Sequence, residues 1–319
     1  MTAKSQLGYK AETTFGTYIA PDKFVEFIRE TLTTERERIS SQGWRAGQRV
    51  ESELRWKAGR TNVAGTVDCE LQSKGMGGLF KAAFGTSVIT TPGGGTISRD
   101  HTYTLGDLVG DSLTVQVGRE LRDQTVQAFS YLGCKVNGFH LSCRVGELAM
   151  TTFDVIGRDE DTATGLVAAT YPTTLETFSF VEGAVTVAAV STPVREATFD
   201  LDNRMNEDDY AFGSKLRRDV PEPALRDGTG TLDADWTSMT AYNRFVNGTM
   251  AALVLTFTGS IIEGAIANKL QLTANIRTDG DTPTVDGPEE IRQPLRFKVM
   301  APAATEPVTM VWTTTDTTD

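Results

Sequence analysis

Two nine-residue stretches decide how this chain folds: GTVDCELQS at residues 65–73 and GTLDADWTS at residues 230–238. They are identical at four of nine positions, and two further positions pair Glu70 with Asp235 and Val67 with Leu232. They lie about half of the 319-residue chain apart. A matched pair of stretches at this spacing indicates an internally duplicated structural unit.

The elements around these stretches follow the same order in both halves. Alternating apolar and polar residues predict strands, and each half reads strand, strand, helix, strand, strand, strand. The quoted stretch precedes a helix each time, MGGLFKAAFG (76–85) and TSMTAYNRFVNG (237–248). ESELRW (51–56) and REATFD (195–200) are predicted as the preceding strands, and KVNGFHLSC (135–143) aligns with NKLQLTANI (268–276). KFVEFIRETLTTERERI (23–39) fits an amphipathic helix or an extended charged ribbon.

The repeat divides the chain into three parts. Residues 1–157 form a first β unit with an N-terminal arm and a loop at 86–101. Residues 158–193, rich in Ala and Thr, are a linker. Residues 194–319 form a second β unit with a long loop at 203–228 and a C-terminal tail predicted to be poorly ordered alone. The predicted fold class is mainly β.

Composition and motifs argue against an enzyme. The net charge of −11 opposes binding of nucleic acid through its phosphates, which requires clustered Lys and Arg. Two histidines exclude a multi-histidine metal site, and no phosphate-binding glycine loop or nucleophile elbow occurs. No apolar run reaches the roughly 20 residues of a membrane helix. We therefore expect no catalytic residue, cofactor, metal or membrane anchor.

Three groups of residues remain as functional candidates. The acidic residues of the repeated stretches share the polar faces of their strands: Asp68, Glu70, Asp233 and Asp235. The first-half loop contains a turn sequence and charges suited to contacts: Pro92, Gly93, Gly94, Gly95, Arg99 and Asp100. Val311 and Trp312 are an apolar hook in the tail, predicted to dock on a neighbouring copy.

The order of several segments resembles the tail tube proteins of long-tailed phages. They are GYKAETTFGTYIAP (8–21), FVEFIRETL (24–32), RISSQGWRAGQR (38–49), AGTVDCEL (64–71) with the helix after it, GCKVNGFHLSCRVGELAMTTFDVIG (133–157) and LRDGTGTLDADW (225–236). The resemblance is diffuse and covers most of residues 5–300. It implies a β-sandwich flanked by a helix, and rings whose inner sheets join into a continuous β-barrel and stack into a hollow tube.

The same resemblance implies a role in the virion tail, after assembly in the host cytoplasm. It implies a tube that conducts DNA from capsid to host without binding it specifically, and tape-measure and tail terminator proteins as its partners. The four acidic residues then face the lumen, and the 86–101 loop contacts the next ring. Two units per chain imply a trimer with pseudo-six-fold symmetry; one elaborated unit implies a hexamer.

Two other functions stay open from the sequence. A distal tail, hub or head decoration protein of a phage caps or decorates rather than polymerises. A soluble enzyme or ligand-binding β-sandwich would need a specific small ligand. Formation of a polymer separates the tube from both.

Overall fold

The computed structural model describes residues 4–219, 224–236, 239–279 and 292–319. These residues contain nineteen strands and two short α-helices, joined by loops and two 3₁₀ turns. The mainly β prediction is confirmed. The strands are β1 (Gln6–Ala11), β2 (Lys23–Val25), β3 (Arg29–Glu30), β4 (Thr33–Ser40), β5 (Trp56–Glu70), β6 (Gly85–Thr90), β7 (Arg99–Leu105), β8 (Leu113–Glu120), β9 (Val126–Arg144), β10 (Met150–Gly157), β11 (Asp159–Asp161), β12 (Gly183–Val187), β13 (Val190–Ser191), β14 (Val194–Asp202), β15 (Asp227–Asp235), β16 (Ala251–Glu263), β17 (Ile266–Asp279), β18 (Arg292–Val299) and β19 (Val308–Thr314). The helices are α1 (Gly77–Phe84) and α2 (Met239–Asn247).

A central antiparallel sheet runs through both halves of the chain. Its strand order is β4–β5–β10–β9–β14–β15–β18–β17, with β3 beside β5 at the same edge as β4. The first half supplies the strands up to β9, and the second half supplies those from β14. The β9–β14 ladder joins the two sets through seven residue pairs, from Arg144 opposite Glu196 to Gly138 opposite Asp202. Within one chain this sheet stays open rather than closing into a barrel.

The strand pairings of the two halves correspond. The β4–β5, β5–β10, β9–β10, β8–β9 and β1–β8 pairs have counterparts in β14–β15, β15–β18, β17–β18, β16–β17 and β12–β16. The register corresponds as well, because Asp68 lies opposite Thr152 on β10 and Asp233 lies opposite Pro294 on β18. Leu113, at the start of β8, lies opposite Cys134 of β9, and Ala251, at the start of the corresponding strand β16, lies opposite Ile276 of β17.

One side-chain contact also occurs in both halves. The Thr31 and Thr66 hydroxyl oxygens lie 3.0 Å apart, and the Thr66 backbone N–H donates to Thr31 Oγ1 at 2.8 Å. The Thr198 and Thr231 hydroxyls lie 2.9 Å apart, and the Thr231 N–H donates to Thr198 Oγ1 at 3.0 Å. Thr66 and Thr231 are the second residues of the two stretches that match in sequence, so the match extends to their bonding.

The core lies between the central sheet and an outer layer, with α1 between them. Phe80 of α1 contacts Phe139 and Phe153 of the central sheet, each with ring centroids 6.0 Å apart. On its other side Phe80 contacts Tyr103 of β7 at 5.8 Å and Trp312 of β19 at 5.7 Å. The helix ends at Gly85, whose φ of 99° is the left-handed conformation that glycine adopts without strain. Aromatic packing therefore fixes the distance between the layers.

Of the two alternatives for residues 23–39, the extended ribbon is confirmed, because β2, β3 and β4 pair with β1 and β5. Two other local predictions need correction. ESELRW is not a separate strand, since Glu53–Arg55 is a 3₁₀ turn and β5 begins at Trp56. The preceding strand is instead β3–β4. The alignment of 135–143 with 268–276 is out of register. The strand pairings make Ile276 the counterpart of Cys134 and not of Cys143, because Ile276 lies opposite Ala251 as Cys134 lies opposite Leu113.

Parts of the predicted linker and tail belong to the sheets. Within 158–193, β11 pairs with β9, while β12 pairs with β13 and β16. The tail forms β19, which pairs with β7 of the first half and β17 of the second. The expectation of a poorly ordered tail is wrong, since burial of Val308, Met310 and Trp312 stabilises this strand.

Candidate functional site: the polar face of the central sheet

One face of the central sheet is polar across both halves. Side chains alternate between faces along a strand, so residues paired across neighbouring strands share a face. One such row reads, from β5 to β17: Asp68, Thr152, His140, Asp200, Thr229, Lys298, Arg277. The opposite face carries the buried residues, such as Val67, Phe153 and Phe139. The sheet therefore presents one polar surface that runs across both halves of the chain.

All four acidic residues predicted from the sequence lie on this polar face. Asp68 accepts a hydrogen bond from the Thr152 hydroxyl at 2.9 Å, and Asp235 lies 3.6 Å from Arg195 Nε. Asp68 and Glu70 are on β5, while Asp233 and Asp235 are on β15. Four strand spacings separate β5 from β15, or about 19 Å. The four carboxylates are thus on one surface but not in one cluster.

Further carboxylates gather where the two halves meet. His140 Nδ1 on β9 contacts the Asp200 carboxylate on β14, and this contact raises the pKa of His140. Partial burial raises the pKa of Asp154, and the nearby charges of Asp202 and Asp68 act in the same direction. Sequence reasoning did not select these residues, although the alternation in REATFDLDN placed Asp200 and Asp202 opposite the apolar face.

Basic residues occupy the second-half end of the same face. Lys298 Nζ lies 3.0 Å from Asp227 Oδ1, and Arg296 lies opposite Thr231 and Asp279. Carboxylates outnumber basic side chains on this face, but the surface is mixed rather than uniformly negative. The basic residues alternate with Leu295 and Phe297, so alternation in PLRFKVM was the signal that could have found them.

The predicted contact loop is the tip of the β6–β7 hairpin. The Gly95 N–H donates to the Pro92 carbonyl at 2.9 Å, and a Cβ on Gly93 or Gly94 would meet no atom within 4 Å. Arg99 Nη1 donates to the Ser98 carbonyl at 2.7 Å. The Asp100 carboxylate accepts from the Thr313 hydroxyl at 2.6 Å. Gly93 and Gly94 are therefore open to a partner, whereas Gly95 packs against Ser98 and Pro92, and Arg99 and Asp100 bind their own chain.

Glu263, which sequence reasoning missed, holds this tip in place. Its carboxylate accepts the backbone N–H groups of Thr96, Ile97 and Ser98 at 2.7, 2.9 and 2.7 Å. The Thr96 and Ser98 hydroxyls also donate to it, both at 2.6 Å. These donors hold the pKa of Glu263 well below its usual range. A β16 residue thus orders a first-half loop.

The predicted apolar hook packs inside its own chain. Trp312 is fully buried and contacts Phe80 and His101, while Val311, half-buried, pairs with Gln271 and Thr102. The sequence predicts docking of Trp312 on a neighbouring copy. In the structure it packs inside its own chain and joins the two halves. Its indole packs against residues more than 200 positions earlier in the sequence, so the local sequence could not reveal this contact.

No group of three or more His, Cys, Asp and Glu side chains suited to a metal occurs within the described ranges. In the same parts of the chain, neither helix is long and apolar enough to cross a membrane. Cys69 and Cys134 are buried, and burial raises the pKa of the Cys69 thiol to about 12. These thiols pack as small apolar groups.

A search of curated proteins found no significant match. The model of one protein family, described as phage tail tube protein, matches residues 2–299. This match covers the central sheet, both helices and the hairpin tip. The chain therefore belongs to the phage tail tube protein family, structural components of the virion tail.

Proposed function

We propose that this chain is duplicated, forms rings of three copies, and stacks these rings into a hollow tube that conducts DNA from capsid to host. The observation that carries the proposal is the β9–β14 ladder, which joins two sets of correspondingly paired strands into one sheet. The repeated Thr31–Thr66 and Thr198–Thr231 contacts support the duplication.

The junction inside the chain suggests the junction between chains. In the second half, β14 pairs along its other edge with β9. In the first half the corresponding strands, β3 and β4, pair only with β5 in the part of the chain that is described. An unpaired edge is a ready template for another chain. We propose that the C-terminal end of β17 in a neighbouring copy pairs there, beside the exposed Ile28, because the described residues Arg277–Asp279 pair with β18 alone.

Three copies would then close a ring of six similar units. Heterologous contacts close when the rotation between copies permits it, and pairing of every edge removes exposed strands. The rings stack through loops at their two rims, which include the β6–β7 tip. Tape-measure and tail terminator proteins are the proposed partners inside and at the end of the tube.

The polar face of the central sheet would line the lumen. Excess carboxylate repels phosphate, and Arg277, Arg296 and Lys298 lie at the second-half end of this face, so they would contact a DNA backbone over only a small part of the lumen. DNA would therefore slide without specific binding. Because this role needs binding surfaces rather than reacting groups, the proposal requires no catalytic residue.

The test is electron microscopy of the concentrated protein, alone and with the tape-measure and terminator proteins of its phage. Hollow tubes are the expected result. Single rings that cap or decorate other particles would instead favour a distal tail, hub or head decoration role. Dispersed monomers under all conditions would contradict the proposal.

A further inference from the structure

Corresponding connections in the two halves have different structures. The β4–β5 connection, residues 41–55, continues a hairpin and carries exposed apolar side chains: Trp44 (91% exposed), Val50 (80%) and Leu54 (88%). We call residues 39–56 the arm. The β14–β15 connection occupies the corresponding place in the second half, but its described part turns back onto the first half. We call residues 207–217 the brace.

The brace binds the root of the arm directly. The Thr61 N–H on β5 donates to the Lys215 carbonyl at 2.8 Å, and the Tyr210 hydroxyl donates to the Thr61 carbonyl at 2.8 Å. Arg60 Nη1 lies 3.2 Å from Asp208 Oδ1, and its guanidinium lies 5.5 Å from the centroid of the Tyr210 ring. A second-half loop therefore occupies backbone groups at the base of a first-half hairpin.

A buried arginine anchors the brace. Arg217 is 2% exposed, and its Nε donates to the Glu207 carbonyl at 2.8 Å within the brace. Its Nη1 donates to the Gly157 carbonyl of β10 at 2.9 Å, and its Nη2 donates to Asn62 of β5. Buried charged groups are stable only when their donors are satisfied. Arg217 therefore fixes the brace against two central-sheet strands of the other half.

The arm has the chemistry of a surface that binds another copy of this acidic chain. The arm holds three Arg and two Glu, while the whole chain has a net charge of −11. Exposed apolar side chains grouped on one segment mark an interaction site. An arm with a small net positive charge and exposed apolar side chains thus complements the acidic remainder of a copy in the adjacent ring.

We infer that each chain offers one braced arm to the adjacent ring, so contacts between rings repeat three times around the tube although its sheet has six similar units. The connection that would form a second arm serves instead as the brace of the first. This inference rests on the proposed function, because it places the contact between stacked rings.

The brace is tested with Tyr210→Ala, which removes the bond to Thr61 and the ring beside Arg60. Hydrogen exchange should become faster at the Thr61 amide and across residues 41–56. Tyr171→Ala is the matched control, since Tyr171 is a partly exposed tyrosine that contacts Phe24 rather than the arm. Unchanged exchange in Tyr210→Ala would overturn the brace, and this readout does not depend on tube formation.

The arm is tested with Trp44→Ala, compared with Tyr210→Ala in a polymerisation assay. Both variants should form rings but require about tenfold more protein to form tubes, because the arm then binds the adjacent ring more weakly. Trp44→Ala should leave exchange at Thr61 unchanged. Tube formation by both variants at the wild-type concentration would overturn the inference. So would images of wild-type tubes with six equivalent arms between rings. If the wild-type chain forms no tubes, the proposed function fails, and the exchange result alone decides the brace.

Discussion

Replacing Trp312 with Ala tests whether β19 stabilises the chain itself. The indole is fully buried, with ring centroids 5.7 Å from Phe80 and 5.5 Å from His101. Removing a buried Trp side chain costs about 3–5 kcal/mol, because apolar burial is lost and a cavity remains. At about 1.4 kcal/mol per tenfold change, the folding equilibrium should fall by two to four powers of ten.

The assay is urea unfolding of the purified wild-type and Trp312→Ala chains, with thermal unfolding as a second readout. At about 2–4 °C per kcal/mol for a chain of this size, the expected fall in Tm is about 6–20 °C. Val311→Ala is the matched control. Its side chain faces the other side of β19 and is half-buried, so the expected loss is about 0.8 kcal/mol.

The result that would refute this reasoning is specific. If Trp312→Ala unfolds at the wild-type urea concentration but no longer assembles, Trp312 acts on a neighbouring copy. Equal destabilisation by Trp312→Ala and Val311→Ala would show that the indole does not fill the core between the two halves.

The polar face, the junction of the halves and the hairpin tip each give one further prediction. Changing Asp68, Glu70, Asp233 and Asp235 together to Lys should permit tubes but slow DNA delivery by the phage, because cations added to the lumen surface attract phosphates; delivery at the wild-type rate would reject their placement in the lumen. The raised pKa of His140 means that its protonated form stabilises the fold. The wild type should therefore exceed His140→Gln in unfolding free energy below about pH 6.5 and lose that advantage as the pH rises through the raised value; equal differences at pH 5.5 and 8.5 would contradict this. Glu263→Gln should accelerate amide exchange at residues 96–98, and unchanged exchange would show that the carboxylate does not order the tip.

The faces of the strands could be predicted from local sequence. Alternation in KVNGFHLSC puts Phe139 and Leu141 on one face, which is buried in the structure, and alternation in the repeated stretches puts Asp68 and Asp233 on a polar face. This succeeds because a strand exposes alternate residues whatever its partners are. Acidic residues at matched positions of the two repeated stretches therefore share a surface, as the ladders show.

Register could not be predicted in the same way. The β9 strand changes partners near Gly133, whose φ is +61°, and its two segments pair in different sheets. Both segments alternate, so either one could be aligned with NKLQLTANI. The partner strand identifies the correct segment. Cys134, at the end of the first segment, lies opposite Leu113, as Ile276 lies opposite Ala251 in the second half.

Long-range contacts of single side chains could not be predicted from the sequence either. Glu263 binds loop residues more than 160 positions away, and Arg217 binds Asn62 across a similar separation. Neither residue stands out in composition or periodicity. Helix α2 shows the opposite failure: Met239 and Val246 lie seven positions apart in TSMTAYNRFVNG, a spacing that predicts a shared core face of a helix, but both are mostly exposed.

Cryo-electron microscopy of assembled tubes, with chains counted in one averaged ring, tests the central claim most directly. We expect three copies per ring, each contributing the eight-stranded sheet from β4 to β17, with β17 of one copy beside β3 and β4 of the next. Six copies per ring, or a central sheet interrupted between β9 and β14, would contradict it.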